Sequence, residues 1–392
     1  MKQVAILGST GSIGQSALSI VESYPERFAV ASLAAGRNVD LAFAQCERWR
    51  PRVVSMATEE LAGALRGRLR AADITDIEVV WGTDGTVRVA TLPEADFVVS
   101  AIVGVAGLEA TYAAVQAGKT VGLANKEAMV AAGEILTAAA RAKNVALLPI
   151  DSEHNAIHQC MRAGQRSEVR QIWLTASGGP FRTLPMEEFA KITVEQALRH
   201  PTWVMGRRIT VDSATLLNKG LEIIEACRLF DLPPSAVKVT VHPQSTVHSL
   251  VEYVDGSLLA QISVTDMRLP ILYALSYPER VESELRFDMG ALEDLHFEPP
   301  DFARFPCLRL AYEAAEIGGS HAIALNAADE VAVAAFLERS IPFMGIPATI
   351  ERVLETTPET HPATIEEVLA VDRQARERSR EILARRAVPG RC

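Results

Sequence analysis

Two carboxylates two positions apart mark the most chemically suggestive point of the chain. Asp151 and Glu153 directly follow a predicted strand at residues 145–150. Alternate residues of an extended segment face the same way, so the two carboxylates can converge, and like charges held that close need a cation or a proton between them. Oxygen ligands of this type suit Mg²⁺ or Mn²⁺ rather than zinc. His154 and His158 lie nearby, but we expect them to face elsewhere or to lie on the next helix, and to be structural.

A second polar cluster, Asn125-Lys126-Glu127, directly follows the predicted strand Thr120–Ala124. Ligands of open α/β sheets bind at the carboxyl ends of parallel strands, which is where both clusters fall. A helix cap would account for Asn125 and Glu127 without any role in binding. It would not specifically account for Lys126, so the lysine is the residue that indicates a binding site here.

A third cluster lies on a predicted helix that follows Ser213. Asn218 and Lys219 precede Glu222 by four and three residues, so all three share one face of the helix. An ordinary salt bridge would explain Lys219 and Glu222 by themselves. The apolar residues around them make a solvated bridge a poorer explanation, and the cluster offers a third carboxylate beside an ammonium, an amide and a hydroxyl.

Three glycines, Gly8, Gly11 and Gly14, lie between a predicted strand and the helix that follows it. Glycines there let the backbone turn tightly and approach a pyrophosphate at the helix N-terminus. Their spacing differs from the usual dinucleotide-binding pattern, so an ordinary glycine-rich turn remains an alternative. After the second strand the chain has Arg37 and Asn38 where an NAD site has a carboxylate. A guanidinium there suits a 2′-phosphate and favours NADPH, although Arg37 could be only a solvated surface charge.

Short apolar runs alternate with helical segments through the first 150 or so residues. This alternation predicts a doubly wound, mostly parallel sheet of the Rossmann type, with helices on both faces. Farther along, two strands and a hairpin predict a second α/β region. The first set of predicted strands is Gln3–Leu7, Phe28–Ala34, Arg52–Met56, Glu78–Trp81, Phe97–Val103, Thr120–Ala124 and Val145–Ile150. The second set is Val169–Thr175, Val237–Val241, Leu250–Tyr253 and Leu258–Val264.

Changes of composition divide the chain into three predicted domains. Residues 1–150 form an NADPH-binding domain, residues 151–298 an α/β catalytic and connective domain, and residues 307–392 a small C-terminal helical domain after a linker at 299–306. Within the second domain, Ser177–Arg208 is rich in glycine and proline and predicts a long, partly helical, flexible loop. Loops of that length in compact domains are usually functional.

The composition excludes several classes of protein. Of 392 residues, 48% are hydrophobic and 22% charged, which rules out wholesale disorder. A net charge of −10 argues against a general nucleic-acid or anionic-membrane binder. The uncharged run at residues 97–108 is far shorter than the ~20 residues that span a membrane. Five dispersed cysteines favour reduced thiols and a cytoplasmic location.

Taken together, these motifs resemble those of the 1-deoxy-D-xylulose 5-phosphate reductoisomerase family over essentially the whole chain. The segments that carry the resemblance are GSTGSIG, LANKE, PIDSEHNAI, LTASGGPFR, HPTWVMGRR, VDSATLLNKGLE, HPQS, TDMRLPI and LNAADEVAVAAFL. It implies that Asp151, Glu153 and Glu222 bind the metal and that they act in catalysis together with Lys126. The residues that it implies for the substrate are Lys126, Ser152, Glu153, Ser177, His200, Trp203, Ser213, Asn218, Lys219, Glu222 and Met267. Those that it implies for the cofactor are Thr10, Gly11, Ser12, Ile13, Gly36, Arg37, Asn38, Asn125, Glu127 and Gly206.

The resemblance divides the substrate residues by role. Trp203 and Met267 would be apolar walls over the substrate, and His200 would reach the phosphate from the loop. Binding of the phosphate would then drive closure of the loop at residues 177–208, which orients the reacting end and excludes water. The implied phosphate pocket consists of Ser177, Ser213, Asn218 and Lys219.

The resemblance also implies a reaction in isoprenoid precursor biosynthesis. With NADPH and Mg²⁺, Mn²⁺ or Co²⁺, a homodimer would isomerise 1-deoxy-D-xylulose 5-phosphate and reduce it to 2-C-methyl-D-erythritol 4-phosphate. One alternative is an NADPH-dependent, metal-assisted reductase of another phosphorylated aldehyde or ketone, which the carbon skeleton of the product would distinguish. The other is a catalytically silent NADPH-binding regulator, and the three carboxylates with Lys219 argue against it.

Overall fold

The computed structural model of the chain describes residues 1–203, 205–292 and 294–387. By spatial packing the chain forms two compact units, each built from separate stretches of sequence. Unit 1 comprises Met1–Ala128, Glu134–Asn155 and Asp266–Leu285. Unit 2 comprises Met129–Gly133, Ala156–Thr265 and the described residues from Arg286 onward. The three domains predicted from composition remain a prediction, and Cys392 lies outside the described residues.

Unit 1 contains a seven-stranded sheet in the order β4-β3-β2-β1-β5-β6-β7, in which all neighbouring strands are parallel. Its central strands are apolar runs because parallel strands are covered on both faces. The prediction of a Rossmann-type sheet is therefore confirmed. In chain order the elements of this part of the chain are β1 (Lys2–Leu7), α1 (Ser12–Ser23), β2 (Phe28–Ala34), α2 (Val39–Trp49), β3 (Val53–Met56), α3 (Glu59–Ala71), β4 (Glu78–Trp81), α4 (Gly82–Ala90), β5 (Phe97–Ser100), α5 (Leu108–Gln116), β6 (Thr120–Leu123), α6 (Lys126–Lys143), β7 (Leu147–Pro149) and α7 (Ser152–Met161). Residues of α6 and of α7 are divided between the two units.

Unit 2 contains a four-stranded mixed sheet in the order β11-β10-β8-β9. The pair β8–β9 is parallel, and β10 is antiparallel to both β8 and β11, which confirms the predicted hairpin. The strands and the helices among them are β8 (Val169–Ala176), α8 (Val194–Ala197), α9 (Arg207–Ala214), α10 (Leu217–Phe230), β9 (Val237–Val241), β10 (Val247–Tyr253) and β11 (Leu258–Ile262).

The chain returns to unit 1 after this sheet. Helix α11 (Arg268–Ser276) buries Ile271, Leu272 and Leu275 in the same hydrophobic core as Val21 of α1. This long-range packing places residues 266–285 in unit 1, although they are far from its other stretches in sequence.

From Pro306 onward the described part of unit 2 is helical, as the absence of strand patterns in the sequence predicts. The helices are α12 (Pro306–Ile317), α13 (Gly319–Leu337), α14 (Gly345–Leu354) and α15 (Ile365–Ala387). Their apolar faces share one core with α9, α10 and β8. Within the described residues, no helix is both long enough and apolar enough to cross a bilayer.

The segment at residues 177–208 is partly helical, with a 3₁₀ turn at Met186–Lys191 followed by α8. Phe181 and Phe189 are buried in its first half. The Phe181 ring lies 5.2 Å from that of Phe343, between centroids. This half is thus part of the core of unit 2, and closure of the loop remains a prediction.

Candidate functional site

The glycine turn between β1 and α1 is closed too tightly for any other residue at two of its positions. Gly8 has a φ of +86°, and a Cβ atom there would lie 2.5 Å from the Ala101 carbonyl oxygen. A Cβ on Gly14 would lie 2.3 Å from the Gly8 oxygen. Gly11 is the N-cap of α1, and no side chain caps the helix. The N–H groups of the first helical turn therefore suit an anion such as a pyrophosphate.

A glutamine that the sequence analysis missed holds this turn in place. Gln45 of α2 is 5% exposed. Its Oε1 accepts a hydrogen bond from Ser9 Oγ at 2.8 Å, and its Nε2 donates to the Ser9 carbonyl oxygen at 2.9 Å. Thr10 Oγ1 donates to the Ala35 oxygen at 2.6 Å, which ties the turn to the end of β2. A single glutamine in an amphipathic helix has no sequence signature that separates it from a surface residue.

The residues predicted to select the cofactor lie just after β2. Gly36 has a φ of +66° and nothing within 4 Å of its Cβ position, so the backbone is open to a ligand. Arg37 is exposed. Asn38 caps α2, because its Oδ1 accepts a hydrogen bond from the Leu41 N–H at 3.0 Å. The guanidinium is therefore available to a phosphate, and both readings of Arg37 from the sequence remain compatible with its exposure.

Asn125 is used structurally. It is 2% exposed. Its Oδ1 accepts a hydrogen bond from the Ala128 N–H at 3.0 Å and so caps α6. Its Nδ2 donates to the Gly104 oxygen at 2.9 Å and to the Ile102 oxygen. The helix cap considered from the sequence is thus observed, and the contact of Asn125 with the cofactor remains a prediction.

The carboxylate of Asp151 has a lysine as its partner. Lys126 Nζ lies 2.7 Å from Asp151 Oδ2, and the two side chains are 8% and 11% exposed. Burial by itself would raise the pKa of Asp151, but the Lys126 ammonium and the His154 ring outweigh it and hold that pKa well below its usual value. Asp151 is therefore a carboxylate at neutral pH. Ser152 Oγ donates to Glu153 Oε2 at 2.6 Å.

Two expectations about this segment were wrong. Glu153 is not on an extended segment, because α7 begins at Ser152. The two carboxylates instead approach each other across a helix start, with an oxygen of one within 4.8 Å of an oxygen of the other. The backbone N–H of Glu153 also donates to Asp151 Oδ1 at 3.3 Å. His154 does not face elsewhere: it is fully buried, and its Nδ1 lies 3.6 Å from Asp151 Oδ1. The helix places the fourth residue of the segment back over the first. For His158, burial lowers the pKa to about 4, in agreement with a structural role.

The predicted helix face is present in α10. Asn218 Nδ2 donates to Glu222 Oε1 at 2.6 Å, and Lys219 Nζ forms an ion pair with Glu222 Oε2. The Lys219 and Glu222 side chains are 4% and 1% exposed. A solvated salt bridge is therefore excluded. Leu216, with a φ of +58°, makes the turn that joins α9 to α10.

The ends of β8 and α9 lie against each other in unit 2. A Cβ on Gly179 would be 2.7 Å from the Ser213 carbonyl oxygen, so Ser177 and Ser213 belong to one region. Ser177 Oγ lies 3.1 Å from His200 Nε2. The Trp203 N–H donates to His200 Nδ1 at 2.9 Å, so the proton of the neutral ring is on Nε2 and points at Ser177. Burial lowers the pKa of His200 to about 4 and keeps the ring neutral.

His248 of β10 is a further member of this region that the sequence analysis missed. It is 5% exposed, and its ring lies 6.4 Å from that of Trp203, between centroids. Burial lowers the pKa of His248 to about 4, and the nearby Lys219 ammonium acts in the same direction. Strand alternation predicts an inward side chain at this position but does not reveal which helix faces it.

The remaining predicted site residues differ in how deeply they are buried in their own units. Met267 is half-buried and packs against the core of unit 1. Gly206 is exposed at the N-cap of α9. Ser12 begins α1, and Ile13 packs against the core of unit 1. Glu127 is buried in the first turn of α6. Their contacts with cofactor or substrate remain predictions.

The chain is similar through most of its length to proteins of one family. Family models match residues 4–133 (1-deoxy-D-xylulose 5-phosphate reductoisomerase), 147–230 (the C-terminal domain of that reductoisomerase) and 262–378 (DXP reductoisomerase C-terminal domain). The 1-deoxy-D-xylulose 5-phosphate reductoisomerase of Methylococcus capsulatus is 52% identical over 96% of this chain and 97% of its own length. That of Solibacter usitatus is 49% identical over 99% and 98%.

Solved structures agree with these relatives. A DOX-P reductoisomerase in complex with NADPH, fosmidomycin and magnesium has a TM-score of 0.92 and 38% identity, and the similarity covers 98% of each chain. The 1-deoxy-D-xylulose 5-phosphate reductoisomerase of Zymomonas mobilis in complex with NADPH has a TM-score of 0.91 and 43% identity, over 97% of this chain and 99% of its own.

Proposed function

The chain belongs to the 1-deoxy-D-xylulose 5-phosphate reductoisomerase family, and we propose which of its residues perform that family's reaction. The reaction converts 1-deoxy-D-xylulose 5-phosphate to 2-C-methyl-D-erythritol 4-phosphate and depends on NADPH and a divalent cation. The observation that carries the assignment is a nearly buried ammonium–carboxylate pair in each unit, Lys126–Asp151 and Lys219–Glu222. Each pair provides a buried ammonium that can bind an anion beside a buried carboxylate that can bind a cation.

Asp151, Glu153 and Glu222 hold the divalent cation in this proposal. The donor set fits, because three carboxylates supply the oxygen ligands that Mg²⁺ and Mn²⁺ prefer. Asp151 and Glu222 are also nearly buried, so their charges are little screened by solvent. When bound, the cation acts as a Lewis acid toward the oxygens of the substrate. Lys126 and Ser152 position the carboxylates and contact the oxygen-bearing part of the substrate.

NADPH binds in unit 1, at the turn from Gly8 to Gly14. The N–H groups at the uncapped start of α1 bind the pyrophosphate, and the guanidinium of Arg37 donates hydrogen bonds to the 2′-phosphate. Gln45 and Thr10 hold the turn in its binding shape. The cofactor supplies a hydride when bound. Asn125 contributes by fixing the loop at residues 102–104.

The substrate phosphate binds in unit 2. Lys219 supplies a buried positive charge, and Asn218, Ser177 and Ser213 supply hydrogen bonds to phosphate oxygens. The neutral His200 donates from Nε2 in the same region. Trp203 and Met267 form apolar walls over the carbon chain. The loop at residues 177–208 closes over the bound substrate, so we expect the fluorescence to change on addition of 1-deoxy-D-xylulose 5-phosphate. The change should be absent in a Trp203→Phe variant.

The assignment is tested by following NADPH oxidation with 1-deoxy-D-xylulose 5-phosphate, with and without Mg²⁺ or Mn²⁺, and by identifying the product by NMR. We expect metal-dependent turnover to a branched product, and loss of turnover in Glu222→Gln with NADPH binding retained. Exposed Glu78→Gln is the matched control and keeps full activity. A linear reduced product would instead identify a simple reductase.

Two copies of the chain form a homodimer through the second sheet. Strand β11 is an edge strand of that sheet, since it pairs only with β10 among the described strands. Leu258 and Leu259 on it are 52% and 37% exposed, and an exposed apolar edge favours pairing with a second copy. A Leu258→Lys variant, compared with wild type by light scattering, is expected to halve the mass in solution.

A cytoplasmic location accompanies this assignment. All four cysteines of the described residues are free thiols, and three of them are buried. Dispersed buried thiols are typical of a reducing compartment. Localisation of a tagged chain in its own cell by fractionation is the direct test.

A further inference from the structure

A chain of ion pairs of alternating sign connects the short helix α9 with the C-terminal helices. Arg208, in the first turn of α9, donates from Nη2 to Asn326 Oδ1 at 2.9 Å and to Asp329 Oδ2 at 3.1 Å. Its Nη1 lies 3.0 Å from Glu330 Oε1. All three acceptors are on α13, so one guanidinium attaches α9 to that helix through a fork of contacts that a lysine could not reproduce.

The chain of charges continues away from the predicted site. Glu330 Oε2 lies 2.8 Å from Arg376 Nη2 on α15, and Arg376 Nε donates to Asp372 Oδ2 at 2.7 Å. Arg376 thus joins α13 to α15. It has the same chemistry as Arg208 but lies one helix farther from the substrate residues.

Arg208 and its carboxylate partners Asp329 and Asp212 are largely buried. The side chain of Asp329 is 0% exposed and that of Arg208 is 17% exposed. Along α9 itself, Arg208 Nε lies 3.5 Å from Asp212 Oδ2, whose side chain is 5% exposed. Arg208 therefore connects the start of α9 to Asp212, near the end of the same helix, and to α13. Charge interactions are stronger in such partly buried surroundings than in water.

The C-terminal end of α9 carries Ser213, one of the proposed phosphate-binding residues. Asp212 is followed directly by Ser213. Thr215 Oγ1 donates to the backbone carbonyl oxygen of Asp212 at 3.1 Å and accepts from the Leu217 N–H at 3.3 Å. These bonds continue α9 through the Leu216 turn into α10, which carries Asn218 and Lys219. A rotation of α9 would therefore move Ser213 and the start of α10 together.

We propose that Arg208 is a positioning residue for the substrate phosphate: it anchors α9 to the C-terminal helices and so sets the place of Ser213 and of the start of α10. This inference rests on the proposed phosphate pocket. It gives the C-terminal helices a function in substrate binding, although none of the substrate residues lies on them. A misplacement of about 1 Å caused by a mutation far from the chemistry can cost about a hundredfold in rate, so we expect a smaller shift of the phosphate-binding groups to have an effect of about tenfold.

The test compares Arg208→Met with Arg376→Met in the full-length enzyme. For Arg208→Met we expect KM for 1-deoxy-D-xylulose 5-phosphate to rise about tenfold, with a smaller change in kcat and no change in NADPH dissociation. Inorganic phosphate, titrated by calorimetry, should lose affinity by the same factor. Arg376→Met should leave KM and phosphate affinity unchanged, whatever it does to thermal stability.

Two further variants guard against misfolding of Arg208→Met, which leaves the buried Asp329 without its guanidinium. Arg208→Lys keeps the charge and should give an intermediate KM. The double variant with Asp329→Asn removes both charges and should show the full rise in KM with less loss of stability. An unchanged KM in these variants, or an equal rise in Arg376→Met, overturns the proposal.

If the proposed function itself is wrong, the wild-type protein does not turn over 1-deoxy-D-xylulose 5-phosphate, and KM cannot be compared between the variants. The phosphate titration would still report on the pocket: weaker phosphate binding in Arg208→Met alone supports the positioning role, and equal binding in both variants overturns it.

Discussion

The Nζ atom of Lys126 lies 2.7 Å from Oδ2 of Asp151, with the two side chains only 8% and 11% exposed. Removing one member of a buried pair leaves the other charge uncompensated. We therefore expect Lys126→Met to lower the free energy of unfolding by about 3 kcal/mol, measured by urea denaturation. Turnover should fall as well, because the proposed ligand Asp151 loses the group that positions it.

An exposed ion pair in the same unit provides the control. Arg88 and Glu78 lie 3.2 Å apart, with side chains 46% and 48% exposed. Solvent screens such a pair, so Arg88→Met should cost less than about 1 kcal/mol. Equal losses in the two variants would mean that burial of the Lys126 pair has no energetic consequence.

The close packing of α10 on α12 depends on Gly220. A Cβ at this position would lie 2.4 Å from the Ala311 Cβ. We expect Gly220→Ala to lower the free energy of unfolding by about 2 kcal/mol through overpacking. It should also lower kcat/KM, because α10 carries Asn218, Lys219 and Glu222.

A second-site change separates packing from any other cause. Ala311→Gly removes the opposing methyl group, so the double variant should recover most of both losses. Gly67→Ala is the matched control: Gly67 lies in α3 with nothing within 4 Å of its Cβ position. That change should stabilise the protein by about 0.5–1 kcal/mol. If Ala311→Gly does not rescue Gly220→Ala, the contact is not the cause.

The sequence predicted features that depend on local periodicity. Strands such as Phe28–Ala34 and Val237–Val241 were found with the predicted bounds, because buried parallel strands are short apolar runs. The shared face of Asn218, Lys219 and Glu222 follows from the helical repeat. Near Asp151 the approach of the carboxylates was expected for the wrong reason, since the start of a helix cannot be told from an extended segment over three residues.

Long-range packing was beyond the reach of such patterns. Gln45, Arg208 and His248 each act through a partner on another element, and a single polar residue has no periodic signal that names its partner. The return of α11 to the core of unit 1 is of the same kind. These features follow from topology, which sequence patterns restrict but do not determine.

Stability should decrease in mild acid because of buried neutral histidines. Burial lowers the pKa of His158 and of His248 to about 4, whereas a histidine of the unfolded chain has a pKa of about 6.5. As the pH falls from 6.5 toward 4, the unfolded chain binds protons that the folded chain does not, so folding becomes less favourable. The urea midpoint should therefore drop between about pH 7 and about pH 5.

A variant assigns part of this drop to one ring. In His158→Gln the drop should be smaller than in wild type, since one of the groups that titrates only in the unfolded chain is gone. Gln116→Ala, a change at an exposed residue that does not titrate, should leave the drop unchanged. If His158→Gln and wild type have the same pH dependence, His158 is not held neutral by burial.

Arg37 should determine the preference between NADPH and NADH. It is exposed directly after the open turn at Gly36, and a hydrogen bond from a guanidinium to a phosphate contributes about 1.5–3 kcal/mol. Arg37→Ala should therefore raise KM for NADPH about ten- to hundredfold. KM for NADH should not change, because that cofactor lacks the 2′-phosphate.

The comparison with Arg70→Ala, an exposed arginine in the last turn of α3, separates a specific contact from the general field of the protein. Loss of any one positive charge from a protein with net charge −10 weakens the attraction of both cofactors slightly, and slightly more for NADPH because it carries the additional phosphate. Only a direct contact changes the ratio of the two KM values by about tenfold or more. If Arg37→Ala and Arg70→Ala leave the same ratio, Arg37 is a solvated surface charge, and the selectivity for NADPH must come from Asn38 or from the backbone at Gly36.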